Sequence, residues 1–331
     1  MINNNKVSKI PHSFDIPILF LIFNRLDTTK QVFAAIRKAF PRKLYIASDG
    51  PRDNREGENE KIETVREYVL NSIDWDCEVK TLFREKNLGC KKAVSEAITW
   101  FFENEKMGII LEDDCLPNHD FFHFCKDLLV LYQNDTRIFL ISGHNKQGLW
   151  KHDTCDYFFS NMGSIWGWAT WARAWKHYDF EMLDIKDFIV NNNFVNLLGE
   201  GIGQLRQNTI YTEMILKKVD SWAYPWGYTL NKNNALACVP SKNLVVNIGF
   251  GEEATHTHNI IKQPDTYKLS FPLKINNYFV PDREFHKKYL GYDKRQKKIG
   301  KQLRKKIMKK LKWLKRSLLF LIQNIFLFKI K

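Results

Sequence analysis

Residues 16–142 alternate between strand-like and helix-like patterns, and no other feature limits the possible folds as strongly. Strand candidates occur at residues 16–23, 43–47, 77–83, 107–111 and 138–142. Between them, apolar residues recur at helical spacing, as in residues 28–39 and 62–70. Strands that alternate with helices predict βαβ units and a mostly parallel sheet flanked by helices, and therefore an α/β fold.

The charge of the chain is concentrated at one end. The 331 residues carry a formal net charge of +14 and are 44% hydrophobic, a composition that excludes a disordered chain. Residues 285–331 hold 17 Lys and Arg against one acid, whereas residues 1–284 hold 34 bases and 36 acids. We therefore expect a near-neutral domain over residues 1–284 and a separate basic tail over residues 285–331.

The tail combines a basic pattern with an apolar one. Apolar residues at spacings of three and four, with lysines on the other face, predict a basic amphipathic helix over residues 294–316, and residues 318–328 are mostly apolar. A helix that lies on an anionic membrane surface through residues 294–328 accounts for both patterns. RNA binding would account for the lysines alone, so no nucleic acid is expected, and docking onto the body or a partner stays open.

The amino-terminal segment and the cysteines indicate the compartment. The first fifteen residues are polar, which predicts no signal peptide, and the six cysteines form no CxxC pair, which predicts reduced thiols. Together with the tail, this predicts a cytoplasmic protein that is attached peripherally to the inner face of the cell membrane.

Polar residues follow the predicted strands at the point where each strand ends. They are Asn24 and Arg25, Asp49 within Ser-Asp-Gly, Asn87, and the acid triplet Glu112, Asp113 and Asp114. Ligands of parallel α/β sheets bind at the carboxyl ends of the strands, so we expect these clusters to share one edge. For Asp49 an ordinary turn is the alternative, because Ser-Asp-Gly-Pro is a strong turn sequence.

The acid triplet predicts cation chemistry. Three adjacent carboxylates repel one another, and a divalent cation relieves this repulsion. Such a cation could bridge the two phosphates of a nucleotide-sugar and neutralise the leaving diphosphate. A solvated acidic turn is the alternative. The chain contains neither a GxxxxGK[ST] loop nor GxGxxG, which argues against P-loop and dinucleotide-binding folds.

The chain resembles GT-A glycosyltransferases in several motifs over residues 16–258. FNR, SDG, NLG and ILEDDCLPNHDFF look like the strand-end motifs of GT-A glycosyltransferases, and the last of them, residues 110–122, is similar to the EDD segment of type I N-acetylglucosaminyltransferases. SIWGWATWARAW and NLVVNIGFGEEATHT resemble bacterial glycosyltransferases of surface-polysaccharide assembly. The resemblance implies one continuous GT-A domain, Rossmann-like, with a nucleotide-sugar half at residues 16–142 and an acceptor half at residues 143–284.

The resemblance also implies roles for the acidic edge. Asp114 would bind the metal, Mn²⁺ or Mg²⁺, and Glu112 and Asp113 would contact the ribose and shape the site. Asp49 would bind the nucleotide base, and Arg25 would lie beside base or phosphate.

Three further residues complete the implied donor site. Asn24 and Asn87 belong to the same nucleotide-sugar edge. His256 would complete the metal or diphosphate site, although a lone His is more often structural.

The acceptor half supplies aromatic residues and a carboxylate. Trp166 and Trp168 are expected to stack on an acceptor sugar. The spacing of residues 168, 171 and 175 is helical, and core packing is the alternative for Trp171 and Trp175. An inverting enzyme needs a base to deprotonate the acceptor hydroxyl. Relatives carry an acid where this chain has Ala223, so Asp220 is the first candidate and Glu213 the second; a helix cap is the alternative for Asp220.

Taken together, the sequence predicts a metal-dependent, inverting glycosyltransferase that transfers a hexosyl or N-acetylhexosaminyl group from a nucleotide-sugar, for which a UDP-sugar is expected. The acceptor is expected to be a glycan or lipid-linked glycan in surface polysaccharide assembly. Two alternatives stay open. One is a sugar nucleotidyltransferase that uses the same acidic edge, and the other is a non-catalytic, membrane-bound scaffold, which the departure at Ala223 permits.

Overall fold

The computed structural model describes residues 14–250, 263–293 and 295. The chain divides into two compact units, of which the first ends at His286. Apart from residue 295, the basic tail predicted over residues 294–328 lies outside the described residues, and so does His256. In the part of the chain that is described, no helix is long and apolar enough to cross a bilayer.

The first half of the domain follows the predicted alternation of strands and helices. Its elements are β1 (Ile18–Ile22), α1 (Leu26–Ala39), β2 (Lys43–Ser48), α2 (Glu58–Asn71), β3 (Glu78–Phe83), α3 (Cys90–Asn104) and β4 (Met107–Glu112). All five residues of β1 are buried. Its uninterrupted apolar sequence is therefore explained by helices that cover both faces of the sheet.

The second half contains shorter elements. They are β5 (Cys115–Pro117), α4 (His119–Leu131), β6 (Ile138–Ser142), β7 (Tyr157–Ser160), β8 (Trp168–Trp171), α5 (Ala172–Trp175), α6 (Ile185–Val190), α7 (Asn193–Leu198), α8 (Ile202–Ile210), a π-helix (Tyr211–Leu216), α9 (Ala223–Lys232), β9 (Leu236–Pro240), β10 (Val245–Asn247) and α10 (Arg283–Tyr289).

Within the described residues, eight strands form one sheet in the order β3-β2-β1-β4-β8-β6-β9-β7. Only β8 and β7 run antiparallel to their neighbours in it. The predicted α/β class is therefore confirmed, with a large, mostly parallel sheet flanked by helices, in agreement with a Rossmann-like GT-A fold. A second, two-stranded sheet pairs β5 with β10, so that residues 245–247 lie beside the turn after the acid triplet.

The order of the strands creates a crevice between β1 and β4. The chain moves from β1 to β2 to β3 in one direction and then returns across β1 to β4. Because parallel crossovers are right-handed, this reversal places α3 on the face opposite to α1 and α2. In agreement, α1 contacts α2 and α4, whereas α3 contacts α5. Crevices of this kind open at the carboxyl ends of the two strands where the order reverses.

Helix packing and capping hold the elements that carry the site. Val32, Phe33 and Ile36 of α1 are at most 1% exposed, and burial of each such side chain contributes about 1.5–3 kcal/mol. The side chain of Asn118 caps α4 by accepting the Phe121 N–H at 3.1 Å. This cap stabilises the turn that follows the acid triplet.

The tryptophan-rich segment differs from its predicted helical spacing. Trp168–Trp171 is a strand, β8, and α5 begins only at Ala172. The strand lies between β4 and β6 and pairs with both, and all four of its residues are buried. The pairing of β8 with strands on both of its edges thus outweighs the helical spacing of its tryptophans.

Candidate functional site

An arginine and two acids meet in the crevice between β1 and β4. Arg25 follows β1, and Asp113 and Asp114 follow β4. Nη2 of Arg25 donates to Oδ1 of Asp113 and, at 3.0 Å, to Oδ2 of Asp114. Burial alone would lower the pKa of Arg25, but the two carboxylates outweigh it and raise that pKa. The polar residues after β1 and those after β4 therefore meet at one edge of the sheet, as the sequence predicts.

Asp113 is the buried anchor of this cluster. It is 4% exposed and also accepts the backbone N–H of Phe23 at 3.3 Å. Burial raises the pKa of Asp113 to about 6, although Arg25 opposes the shift. Burial, with the neighbouring charges of Asp114 and Asp113, also raises the pKa of Glu112 to about 8. Any added positive charge therefore stabilises the ionised form of the triplet.

Asp114 contacts a distant segment of the second half of the domain, the residues that follow β10. Its backbone carbonyl accepts the Ile248 N–H at 2.8 Å, an extension of the pairing between β5 and β10. Gly249 follows, and a Cβ atom there would overlap with the carboxylate of Asp114 and with Nη1 of Arg25, 2.6 Å away. Only glycine therefore allows the backbone to approach the ion pair so closely.

Asp49 and Asn87 join the loops that follow β2 and β3. The Asp49 carboxylate accepts the backbone N–H groups of Leu88, at 3.0 Å, and Gly89, at 3.2 Å. Asn87 donates to the carbonyl of Gly50 at 2.8 Å. Burial raises the pKa of Asp49, and these amides oppose the rise. Both residues line the cavity as expected, yet each also serves to join the loops after β2 and β3.

An ion pair beside Asn24, between Glu58 and Arg52, was not predicted from the sequence. Glu58, at the start of α2, is 4% exposed and accepts from Asn24 at 2.9 Å and from the guanidinium of Arg52. Its hydrogen bonds from Arg52 lower the pKa of Glu58. The Arg52 guanidinium lies 5.5 Å from the ring centroid of Phe23. Arg52 lines the cavity, and no local motif distinguished it from the other charges of its polar loop.

Asp220 lines the cavity from the second half of the domain and caps α3. Its carboxylate accepts the backbone N–H of Cys90 at 2.7 Å and of Lys91 at 2.9 Å. A carboxylate at a helix N-terminus satisfies free amides and interacts favourably with the helix dipole. Asp220 therefore acts as a helix cap, which was the alternative prediction for it. The helix that it caps is α3 and not the helix that follows it in the chain.

Glu213 lies away from the cavity. It belongs to the π-helix Tyr211–Leu216 and pairs with Lys217 at 3.0 Å, and it is not among the residues that line the cavity. The structure therefore brings Asp220, but not Glu213, to the cavity wall.

The two tryptophans expected to bind an acceptor lie in different environments. Trp166 is half-buried, lines the cavity, and contacts Phe250 edge-on with ring centroids 5.8 Å apart. Trp168 is 0% exposed and stacks on Trp222 at 5.5 Å. Trp168 therefore belongs to the core and presents no surface to an acceptor in this structure, which differs from the role expected for it.

These residues surround one open cavity of about 360 Å³. Its wall combines the carboxyl ends of β1, β2 and β4, the N-terminus of α3, and residues 220–223 and 247–250. The cavity is of the size that small-molecule ligands occupy, and both halves of the domain contribute to it. Residues 251–262, which include His256, are not described.

The donor set fits a cation that is shared with a phosphorylated ligand. Among the described residues, no group of three or more His, Cys, Asp and Glu side chains is arranged to hold a metal. A dedicated all-protein cage is therefore not formed by this part of the chain. Mg²⁺-like ions are typically held by one or two carboxylates plus substrate phosphates, and Asp114, at the cavity wall, supplies one such carboxylate.

Comparisons with known proteins identify no family. No family model matches the sequence, and no curated protein matches it. A mannosyltransferase from Pyrobaculum calidifontis, solved with GDP-Man and Mn²⁺, is 10% identical with a TM-score of 0.38, over 68% of this chain and 70% of that one.

Two further solved structures show lower similarity. HddC from Yersinia pseudotuberculosis is 9% identical with a TM-score of 0.29, over 48% of this chain and 77% of that one. An apo UDP-glucose pyrophosphorylase is 10% identical with a TM-score of 0.33, over 71% of this chain and 93% of that one. All three TM-scores lie below 0.5, so these similarities carry no argument about the function of this chain.

Proposed function

We propose that the protein is a metal-dependent glycosyltransferase that uses a nucleotide-sugar donor. The observation that carries this proposal is the cluster of Arg25, Asp113 and Asp114, which opens into a cavity shared by the two halves of the domain. A guanidinium and a carboxylate at one cavity wall provide a partner for phosphate and a ligand for its cation. A wall made by the second half leaves room for an acceptor.

The donor half would bind the nucleotide through residues of the strand ends. Asp49 and Arg52 line the cavity after β2, and the base and ribose would lie beside them. Arg25 would engage the diphosphate, and Asp114 would hold Mn²⁺ or Mg²⁺. The bound cation would neutralise the negative charge of the leaving diphosphate.

The acceptor half would position the attacking hydroxyl. Trp166 offers a ring face at the cavity wall on which a sugar can stack. Asp220 remains the candidate base, because an ionised carboxylate has about four acceptor sites and the α3 amides occupy two of them. Inversion by direct displacement follows if Asp220 removes the proton of the hydroxyl.

The acceptor class and the location are proposed from the sequence. A glycan or lipid-linked glycan in surface polysaccharide assembly suits an enzyme whose tail binds anionic lipids. The charge of residues 285–331 supports attachment to the cytoplasmic face of the membrane.

The arginines of the cavity favour transfer of a sugar over transfer of a nucleotidyl group. A triphosphate substrate requires more positive charge than a diphosphate. Arg25 pairs with Asp113, Arg52 with Glu58 and Arg84 with Glu96, so a carboxylate already compensates each of these three.

A calorimetric titration of the full chain with UDP, with and without Mn²⁺, tests this proposal. We expect binding that requires Mn²⁺ and that Asp114→Asn abolishes, while Asp187→Asn, an equal charge change on the exposed face of α6, leaves it unchanged. GDP, CMP and dTDP in the same titration identify another nucleotide if UDP fails. Failure of all four with a folded protein would refute the donor assignment.

Release of the nucleoside diphosphate then separates an enzyme from a scaffold. A panel of the corresponding nucleotide-sugars is incubated with glycan and lipid-linked acceptors, and diphosphate release is measured. Acceptor-dependent release that is lost in Asp114→Asn supports the transferase. Metal-dependent nucleotide binding without any turnover would favour the scaffold.

A further inference from the structure

We propose that Arg25 is an internal counter-ion that blocks the acid pair Asp113–Asp114 against a free divalent cation, and that it leaves Asp114 only when a nucleoside diphosphate binds together with the cation. This inference rests on the proposed function, because it concerns the same donor site. It assigns to Arg25 a control over which combination of ligands can enter.

The geometry places the guanidinium where it competes with a cation. A single nitrogen, Nη2, bonds to carboxylate oxygens of both acids. The side chain of Arg25 is 19% exposed, and those of Asp113 and Asp114 are 5% and 15% exposed. The guanidinium therefore fills the space between the two carboxylates, and solvent screens the three charges only weakly.

The surroundings of the ion pair leave no room for a cation beside it on the Gly249 side. The backbone at Gly249 lies so close that a Cβ atom there would overlap with Asp114 and lie 2.6 Å from Arg25. On this side, a cation that binds Oδ2 of Asp114 would displace the guanidinium from that oxygen or lie in contact with it. Repulsion between two positive charges opposes the second arrangement.

A nucleoside diphosphate removes this obstacle. It brings oxygens to which the guanidinium can donate in place of Asp114, and such charge-assisted bonds are at least as favourable. It also supplies the remaining ligands of the cation. Cation and nucleotide should therefore each raise the affinity for the other, by the same factor, because binding linkage is reciprocal.

The test measures binding of Mn²⁺ alone to the full chain, by electron paramagnetic resonance of the free ion. We expect wild type to bind weakly and Arg25→Gln to bind at least about tenfold more tightly, within the usual range of coupling between sites. Arg25→Lys retains the charge and should stay within about threefold of wild type. Thermal unfolding checks that each variant is folded.

Arg84→Gln is the matched control. It removes the same charge from the same cavity, and its partner is Glu96. Arg84 follows β3, three strand positions from β4, which places it roughly 14 Å away from the acids. We expect its affinity for Mn²⁺ to equal that of wild type. An equal rise in both variants would reveal a general field effect and overturn the proposal, as would an unchanged or lower affinity in Arg25→Gln.

A second measurement needs no substitution and decides the matter if Arg25→Gln does not fold. In wild type, saturating UDP, or whichever of GDP, CMP and dTDP binds, should raise the affinity for Mn²⁺ at least about tenfold. An unchanged affinity would overturn the proposal.

The two proposals fail in different ways. If no nucleotide binds but Arg25→Gln still gains affinity for Mn²⁺, the blocking role holds at a metal site and the donor assignment is wrong. If UDP binds with Mn²⁺ and Arg25→Gln gains nothing, the donor assignment holds and the blocking role is wrong.

Discussion

Asp220 caps Cys90 from 130 residues away in the sequence, with Oδ2 of the carboxylate 2.7 Å from the backbone nitrogen. This contact joins the acceptor half to the N-terminus of α3, which forms part of the cavity wall. Gly89 precedes the capped residue with φ of 80°, and a Cβ there would lie 2.7 Å from the same oxygen. The cap therefore fixes the position of residues 220–223 against the N-terminus of α3 in the cavity wall.

Substitution of Asp220 should separate this structural role from a catalytic one. Asp220→Asn keeps one acceptor oxygen for the amides of α3, so we expect a loss of about 1 kcal/mol or less in the free energy of unfolding, and about 1–2 kcal/mol for Asp220→Ala. If Asp220 is the base, both variants lose at least about 100-fold in kcat while nucleotide binding persists. If kcat falls only in proportion to the loss of stability, so that Asp220→Asn turns over at nearly the wild-type rate, Asp220 is not the base.

Gly249→Ala should disturb the acid pair without unfolding the protein. The added methyl group would overlap with Asp114 and approach Arg25, so we expect affinity for UDP with Mn²⁺ to fall at least about tenfold, which corresponds to about 1.4 kcal/mol. The measurement is calorimetry beside thermal unfolding.

Gly57→Ala provides the control for this change. Gly57 has φ of 73°, but a Cβ there would come no nearer than 4.0 Å to Glu60. This variant should lose about 1 kcal/mol of stability and bind nucleotide normally. Equal binding by both alanine variants would show that close approach at Gly249 is unimportant.

The two tryptophans predict opposite phenotypes. Trp168→Ala removes a fully buried ring and should reduce the free energy of unfolding by about 3–5 kcal/mol. Trp166→Ala removes a half-buried ring at the cavity wall, so it should cost much less stability and raise the KM for the acceptor. Denaturant unfolding and steady-state kinetics check both. An unchanged acceptor KM in Trp166→Ala would remove this residue from the acceptor site.

Stability should fall in weak acid because of His144. This side chain is 3% exposed, and within the described residues neither ring nitrogen has a hydrogen-bond partner. Burial, with a contribution from Lys146, lowers the pKa of His144 to about 3, against about 6.5 in the unfolded chain. Below pH 6.5 the unfolded state therefore binds more protons, and stability decreases as the pH falls towards 3.

From pH 7 to pH 5, this group alone should reduce the free energy of unfolding by about 2 kcal/mol. His144→Phe should remove that part of the slope in urea unfolding measured at several pH values. His123→Gln, on the exposed side of α4, should keep the wild-type dependence of the free energy of unfolding on pH. A slope unaffected by His144→Phe would show that other groups dominate.

The first half of the domain was predictable because its information is local. Runs of four or five apolar residues define β1, β2 and β4, and the polar residues directly after them reach the same edge in any parallel sheet. Arg25 and Asp113 were therefore expected together, although 88 residues separate them. The role of Glu58 could not be read in this way, because it depends on the return of α2 to the loop after β1.

The second half of the domain shows where local patterns fail. Trp168 and Trp166 lie two residues apart in one motif, yet one is in the core and the other lines the cavity. Trp168 begins β8, which is paired on both edges with β4 and β6, whereas Trp166 lies before the strand, beyond Gly167 with its φ of 61°. The sequence by itself determined the fold class and the acidic edge of the sheet, since strand periodicity and strand ends are local properties. Only the tertiary structure decided that Asp220 caps α3, that Glu213 lies away from the cavity and that Arg25 closes the acid pair, because these depend on which distant segments the sheet order brings into contact.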